Sequence, residues 1–129
     1  MESMNEYLEF AKALANEAGD VMRKYFGQSP ESEFKEDDTI VTIADKEINR
    51  LVIQRVKSSY PDHDIDGEEE SHKSDASHIW VCDPIDGTNP FAMELPVSVF
   101  SLALVIDGEP VVGVIYHPCT DKLYTAIKG

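Results

Sequence analysis

Asp83-Pro84-Ile85-Asp86-Gly87-Thr88 sets two carboxylates three residues apart, directly after the apolar run Ile79-Trp80-Val81-Cys82. Like charges about 4 Å apart repel by roughly 4 kcal/mol at an effective dielectric near 20. A converging pair therefore calls for a cation. Hard oxygen ligands suit Mg²⁺, Mn²⁺ or Ca²⁺ rather than zinc, and the backbone carbonyl of Ile85 lies between the two acids as a further ligand. Pro84 and Gly87 predict a tight turn at the end of a buried strand. The plainer alternative is a turn in which Asp86 and Thr88 only cap the next helical turn. Gly87-Thr88-Asn89-Pro90 resembles a helix N-terminus with Pro in its first turn, whose N–H groups favour an anion such as phosphate. Cations on one side and N–H donors on the other describe a site for a phosphate ester.

A second acidic stretch holds Asp62, Asp64, Asp66, Glu68, Glu69 and Glu70. Such a run is ordinarily a solvated face, and Asp62, Asp64 and Glu70 are read that way. Asp62, Asp64, Asp66 and Gly67 match the opening of an EF-hand loop, but Lys73 stands where the bidentate Glu is needed. The spacing Asp-x-x-Asp is one residue longer than the Asp-x-Asp of the haloacid-dehalogenase phosphatases, which argues against a phospho-aspartate intermediate. His63, His72, His78 and His117 lack metal-ligand spacing and are read as packing or surface residues.

These groups need elements to position them. Ser3 and Glu6 have capping-box spacing. The apolar stripe Tyr7, Leu8, Ala11, Leu14, Ala15, Ala18, Val21, Met22, Tyr25, Phe26 then predicts an amphipathic helix ending at Gly27. A short strand or hairpin is expected between Phe34 and Val41, turning at Asp37-Asp38. A second helix is expected from near Thr42, with Ile43, Ile48, Leu51, Val52 and Val56 on one face, stopping at Ser58-Ser59-Tyr60-Pro61. Strands follow at Ile79–Cys82, Val97–Ile106, Val111–Tyr116 and Leu123–Ile127. One helical turn is placed at Phe91–Glu94, and Asp107-Gly108 is a hairpin signal. Helices first and antiparallel strands later read as α+β: two N-terminal helices packed on an antiparallel sheet. The last strand has nothing after it to cover an apolar edge, which points to a longer polypeptide or a partner subunit.

The 129 residues fit a single domain, 1–129, and 42% hydrophobic residues suit a folded chain. A net charge of −14 disfavours nucleic acid polymers and anionic membranes as partners. Cys82 and Cys119 form no framework, and no signal peptide or membrane-length apolar run is visible, so a cytoplasmic location is expected.

Gly67-Glu68-Glu69 followed by Trp80-Val81-Cys82-Asp83-Pro84-Ile85-Asp86-Gly87-Thr88 resembles the inositol monophosphatase family of magnesium-dependent, lithium-sensitive phosphatases. Val41-Thr42-Ile43-Ala44-Asp45 resembles that family's upstream helix-start motif. Gly113-Val114-Ile115-Tyr116 through Lys128-Gly129 resembles its next strands. The resemblance implies the N-terminal part of a layered αβαβα sugar-phosphatase-type fold. It implies two to three Mg²⁺ ions, with Mn²⁺ or Ca²⁺ able to substitute in binding. Glu68, Asp83 and the Ile85 carbonyl would hold the first ion, Asp83 and Asp86 would share a second, and Glu68 would reach a third through water. Asp86, Gly87 and Thr88 would lie beside the phosphate. Asp45 and Thr88 would position the attacking water, with Glu69 as a supporting carboxylate. Thr42 and Asp45 also have capping-box-like spacing, a structural alternative for Asp45.

The implied activity is phosphomonoester hydrolysis of a small phosphorylated metabolite by metal-activated water, in a homodimer. Inositol monophosphate and related sugar or nucleotide phosphates all fit. Here Asn89-Pro90-Phe91 replaces the family's usual Thr-Asn-Phe continuation. Family members run well beyond this length, and their second half carries another sheet, a further metal-binding Asp and most substrate contacts. The alternative is therefore a catalytically incomplete metal-binding or assembly fragment.

Overall fold

The structure is a computed structural model that describes residues 3–25, 40–67, 71–72, 77–86 and 99–129, with positions 40–42, 67, 71–72 and 85–86 described as backbone alone. Helix α1 spans Met4–Tyr25. Ser3 closes its first turn as expected: Ser3 Oγ accepts the Glu6 N–H at 3.2 Å, and the Ser3 carbonyl accepts the Tyr7 N–H. The helix buries Tyr7, Ala11, Leu14, Ala15, Ala18, Gly19 and Met22 along one stripe. The expected stop at Gly27 lies outside the described residues.

Helix α2 spans Ile40–Ser59 and buries Ala44, Ile48, Val52 and Val56 at four-residue intervals. It starts earlier than expected, so Ile40 and Val41 are helical rather than extended. The rest of the Phe34–Val41 segment lies outside the described residues, as does Phe91–Glu94. Strands are β1 (Asp64–Gly67), β2 (Ser71–His72), β3 (His78–Asp86), β4 (Val99–Ile106), β5 (Glu109–His117) and β6 (Lys122–Ile127). They form one sheet in the order β2-β1-β3-β4-β5-β6.

The α+β reading holds, and the sheet is antiparallel at every described pairing except β1/β3, which is parallel. The β1/β2 hairpin returns the chain to the starting end of β1, so β3 begins level with it, Asp64 opposite Ile79. Composition concealed β1 and β2: the acidic run holds one aliphatic residue, Ile65, too few to read as a strand. The Asp107-Gly108 hairpin forms as its sequence requires. Both residues have positive φ (50° and 81°), the two-residue turn whose twist matches the strands it joins.

Both helices lie on one face of the sheet. Trp80, Cys82, Phe100, Leu102, Leu104, Val112, Val114 and Tyr116 point into this covered face and are buried. Gly19 permits the close approach of α1, since a Cβ there would stand 2.2 Å from Tyr116 Cε2. The Tyr116 ring cannot simply swing away. Its hydroxyl donates to Asp121 Oδ1 and accepts from Arg23, whose guanidinium also donates to the Pro118 carbonyl.

The opposite face alternates in phase with these residues and has no described element upon it. Val81, Ile115 and Tyr124 are 42%, 45% and 59% exposed there. Across β3 to β6 the register aligns Val81, Ala103, Gly113 and Ala126 in one small-residue rank beside Asp83, Ser101, Ile115 and Tyr124. Together these ranks line a shallow trough.

Candidate metal and phosphate site

Asp83 and Asp86 lie within β3, which continues through them where a turn is expected. The difference has a physical cause. Asp83 opposes Ser101 and Asp86 opposes Val99, so three steps on β3 match two on β4. Residues 84 and 85 together face the single residue Phe100, a two-against-one bulge. Pro84 sits in it, buried and without an N–H to offer the ladder. In a regular strand, residues three apart face opposite sides. The bulge removes that offset, because Ser101 and Val99 are two apart and share a face. Positions 83 and 86 therefore fall in the same phase of the pleat, on the open side of the sheet, and Asp83 is among the residues that line the trough.

Asp45 is buried, 4% exposed, on α2. It stands well inside a helix that begins at Ile40, so neither it nor Thr42 serves as the N-cap, and the capping alternative falls away. The far end of α2 is fixed by Tyr60, whose ring stacks on Trp80 near the start of β3 at 6.2 Å. Asp45 lies fifteen positions earlier, roughly 22 Å along the helix axis.

One turn beyond Asp45, Asn49 is wholly buried. The sequence reading passed over it, although its spacing from Asp45 put both on one helix face. Oδ1 of Asp45, Asn49 and Asp83 are buried atoms that receive no hydrogen bond, while each residue makes other interactions.

Glu68, Glu69, Gly87 and Thr88 lie outside the described residues, and Ile85 and Asp86 are described as backbone only. Among the described residues no group of three or more His, Cys, Asp or Glu side chains is arranged to hold a metal ion. Of the expected ligand set, only Asp83 contributes a described side chain. The donors expected at 68, 83, 85 and 86 are all oxygen, the set that suits a hard divalent cation, and the shared phase of 83 and 86 is compatible with one.

Asp64 departs from the reading of a solvated acid. It is 3% exposed on β1, an interior strand, whereas Asp62 stays at the surface. His63 and His78 pack as expected. Their rings stack at 4.5 Å, Tyr60 stacks on His63 at 4.7 Å, and the Trp80 indole N–H donates to His63 Nδ1 at 3.0 Å. Burial, helped by the neighbouring His78, lowers the His63 pKa to about 4 against a smaller opposing pull from Asp62.

Two helices on a mixed six-stranded sheet, with a bulged Asp-Pro-Ile-Asp strand, make a scaffold of the α+β class. The chain belongs to the inositol monophosphatase family, whose profile matches residues 3–129. It is 35% identical over 132 residues to inositol monophosphatase 2 of Solanum lycopersicum, covering 98% of this chain and 50% of that protein. It is 38% identical over 128 residues to a histidinol-phosphatase of Chlorobaculum parvum, covering 98% and 49%. The fold is similar to that of a solved inositol monophosphatase from Zymomonas mobilis, with a TM-score of 0.86, 30% identity, and coverage of 99% and 49%. The chain spans about half the length of the relatives it matches. No described helix is long and apolar enough to cross a membrane.

Proposed function

We propose that residues 1–129 form the metal-binding part of a phosphomonoesterase acting on a small phosphorylated metabolite, inositol monophosphate or a related sugar or nucleotide phosphate. The observation that carries this reading is the bulge that brings positions 83 and 86 into one phase, in a chain matching the family over nearly all its length. Glu68, Asp83, Asp86 and the Ile85 carbonyl would hold Mg²⁺. When bound, the cations lower the pKa of a water and neutralise charge on the phosphoryl group. The chain's own residues do the rest. Asp45 and Thr88 orient the attacking water through hydrogen bonds. The N–H groups of Gly87 and Thr88 donate to phosphate oxygens, and Glu69 supports the ligand carboxylates. The acidic balance, −14 overall, keeps competing polyanions away. A homodimer in the cytoplasm is part of the same proposal.

Phosphate release from inositol monophosphate by the full-length protein tests it. Activity should require Mg²⁺, vanish with EDTA, and fall at least a hundredfold in Asp83→Asn. Retained activity in that variant removes the assigned roles.

A second reading rests on the chain spanning half of its relatives: a metal-binding or assembly module without turnover. Calorimetry with Mg²⁺ on the 129-residue chain, beside a phosphatase assay on the same material, separates the two. Binding without phosphate release favours the module.

A further inference from the structure

We infer that Pro84 is the residue that sets the register of this site: it holds the bulge that keeps positions 83 and 86 in one phase of the pleat. The inference rests on the metal-binding reading above and adds to it a positioning residue that is itself no ligand.

Two registers are open to β3. Through Cys82 opposite Leu102 and Asp83 opposite Ser101, the ladder is regular. Continued regularly, it would set 84 against Phe100, 85 against Val99 and 86 against Ser98. Position 86 would then share the phase of Phe100 and Leu102, both buried beneath the helices. The site would be split, with one carboxylate position on the open face and the other on the covered face. The observed register instead sets Asp86 against Val99 and leaves 84 and 85 sharing Phe100.

Two features select the bulge. Among the described pairings β3 is joined to β1 only as far as Cys82 and to β4 alone at positions 83 and 86. A proline in a paired strand is confined to an edge position or a bulge because it cannot donate to the ladder. Pro84 is also buried, and any other residue there would bring an N–H that the regular ladder could pair and the bulge leaves out of it. Proline removes the donor that would otherwise favour the regular ladder. The cost of placing a carboxylate on the covered face biases the register in the same direction. Pro84 thus acts on the ligands through the backbone.

The test uses the 129-residue chain, Tb³⁺ as a luminescent stand-in for a hard divalent cation, and cross-strand backbone contacts by NMR in the absence of metal. In Pro84→Ala the Tb³⁺ affinity should fall at least fivefold, and the regular 85–99 pairing should emerge at the expense of 86–99. A smaller loss of affinity, or a spectrum that keeps only the 86–99 pairing, overturns the inference. Should Pro84→Ala fail to fold, Pro84→Val, which likewise restores the N–H and suits a strand, takes its place. It should bind Tb³⁺ at least fivefold more weakly, and unchanged binding overturns the inference. Asp83→Asn is titrated alongside. If that variant binds Tb³⁺ like the native chain, the metal reading has failed, and the metal-free NMR register alone decides the role of Pro84.

Discussion

The two faces of the sheet are built from the same strands and differ in nearly everything else. On the covered face Trp80, Phe100 and Leu104 are wholly buried beneath α1 and α2, and Gly19 lets the helix backbone approach the Tyr116 ring. On the open face Val81, next in sequence to Trp80, is 42% exposed, and a Cβ added at Gly113 would meet nothing within 4 Å. The comparison separates two tasks. The covered face supplies cohesion, since burial of apolar area is the main favourable term in folding. The open face carries Asp83 and the phase of Asp86, and its exposed apolar residues add little to that cohesion.

Substitutions at neighbouring positions test this contrast. The largest effect is expected at Trp80→Ala, which empties a buried site and should cost about 4 kcal/mol in urea denaturation. Val81→Ala should cost less than about 1 kcal/mol, and comparable losses would mean that the open face is packed in solution. Next, Gly19→Ala should cost about 2–3 kcal/mol through overpacking against Tyr116, whereas Gly113→Ala should change stability by about 0.5 kcal/mol or less. An equal response would show that α1 can shift outward.

A smaller effect belongs to the covered face alone. His63 has a folded-state pKa near 4, below the ordinary value of 6.5, because its neutral form is buried against Tyr60, His78 and Trp80. A depressed histidine pKa means that the unfolded chain binds the extra proton first. The stabilisation is therefore full above about pH 6.5 and is lost as pH falls toward 4. His63 is partly solvated, which screens the effect, so about 1 kcal/mol is expected across that window. His63→Gln should flatten the stability profile between those pH values, while Asp83→Asn should leave its histidine-dependent part in place. The smallest effect is expected at Tyr124→Ala, within about 0.5 kcal/mol, since the ring is 59% exposed.

Much of this molecule is legible in its residues. The Ser3 cap, the stripe of α1, the face of α2, the stop at Tyr60-Pro61 and the Asp107-Gly108 turn all follow from local chemistry. Each signal acts within a few residues. The strands β1 and β2 were not legible, because Asp64, Asp66 and Ser71 have the composition of a solvated loop. Only the neighbouring β3 makes β1 an interior strand, with Asp64 buried within it. The candidate site divides in the same way. The proposal of Asp83, Ile85 and Asp86 as oxygen ligands starts from their types and spacing, and so does the likeness to the inositol monophosphatases.

The sequence by itself determined which residues could bind a cation, and where the helices and the tight hairpin would form, because these depend on side-chain type and on contacts a few positions away. Only the tertiary structure decided that Asp45 is buried rather than a cap and that one face of the sheet has no described element upon it. It alone decided that Asp83 and Asp86 share a phase instead of opposing one another. Strand register depends on a partner strand distant in sequence, and Pro84 has no meaning as a bulge until Phe100 stands opposite.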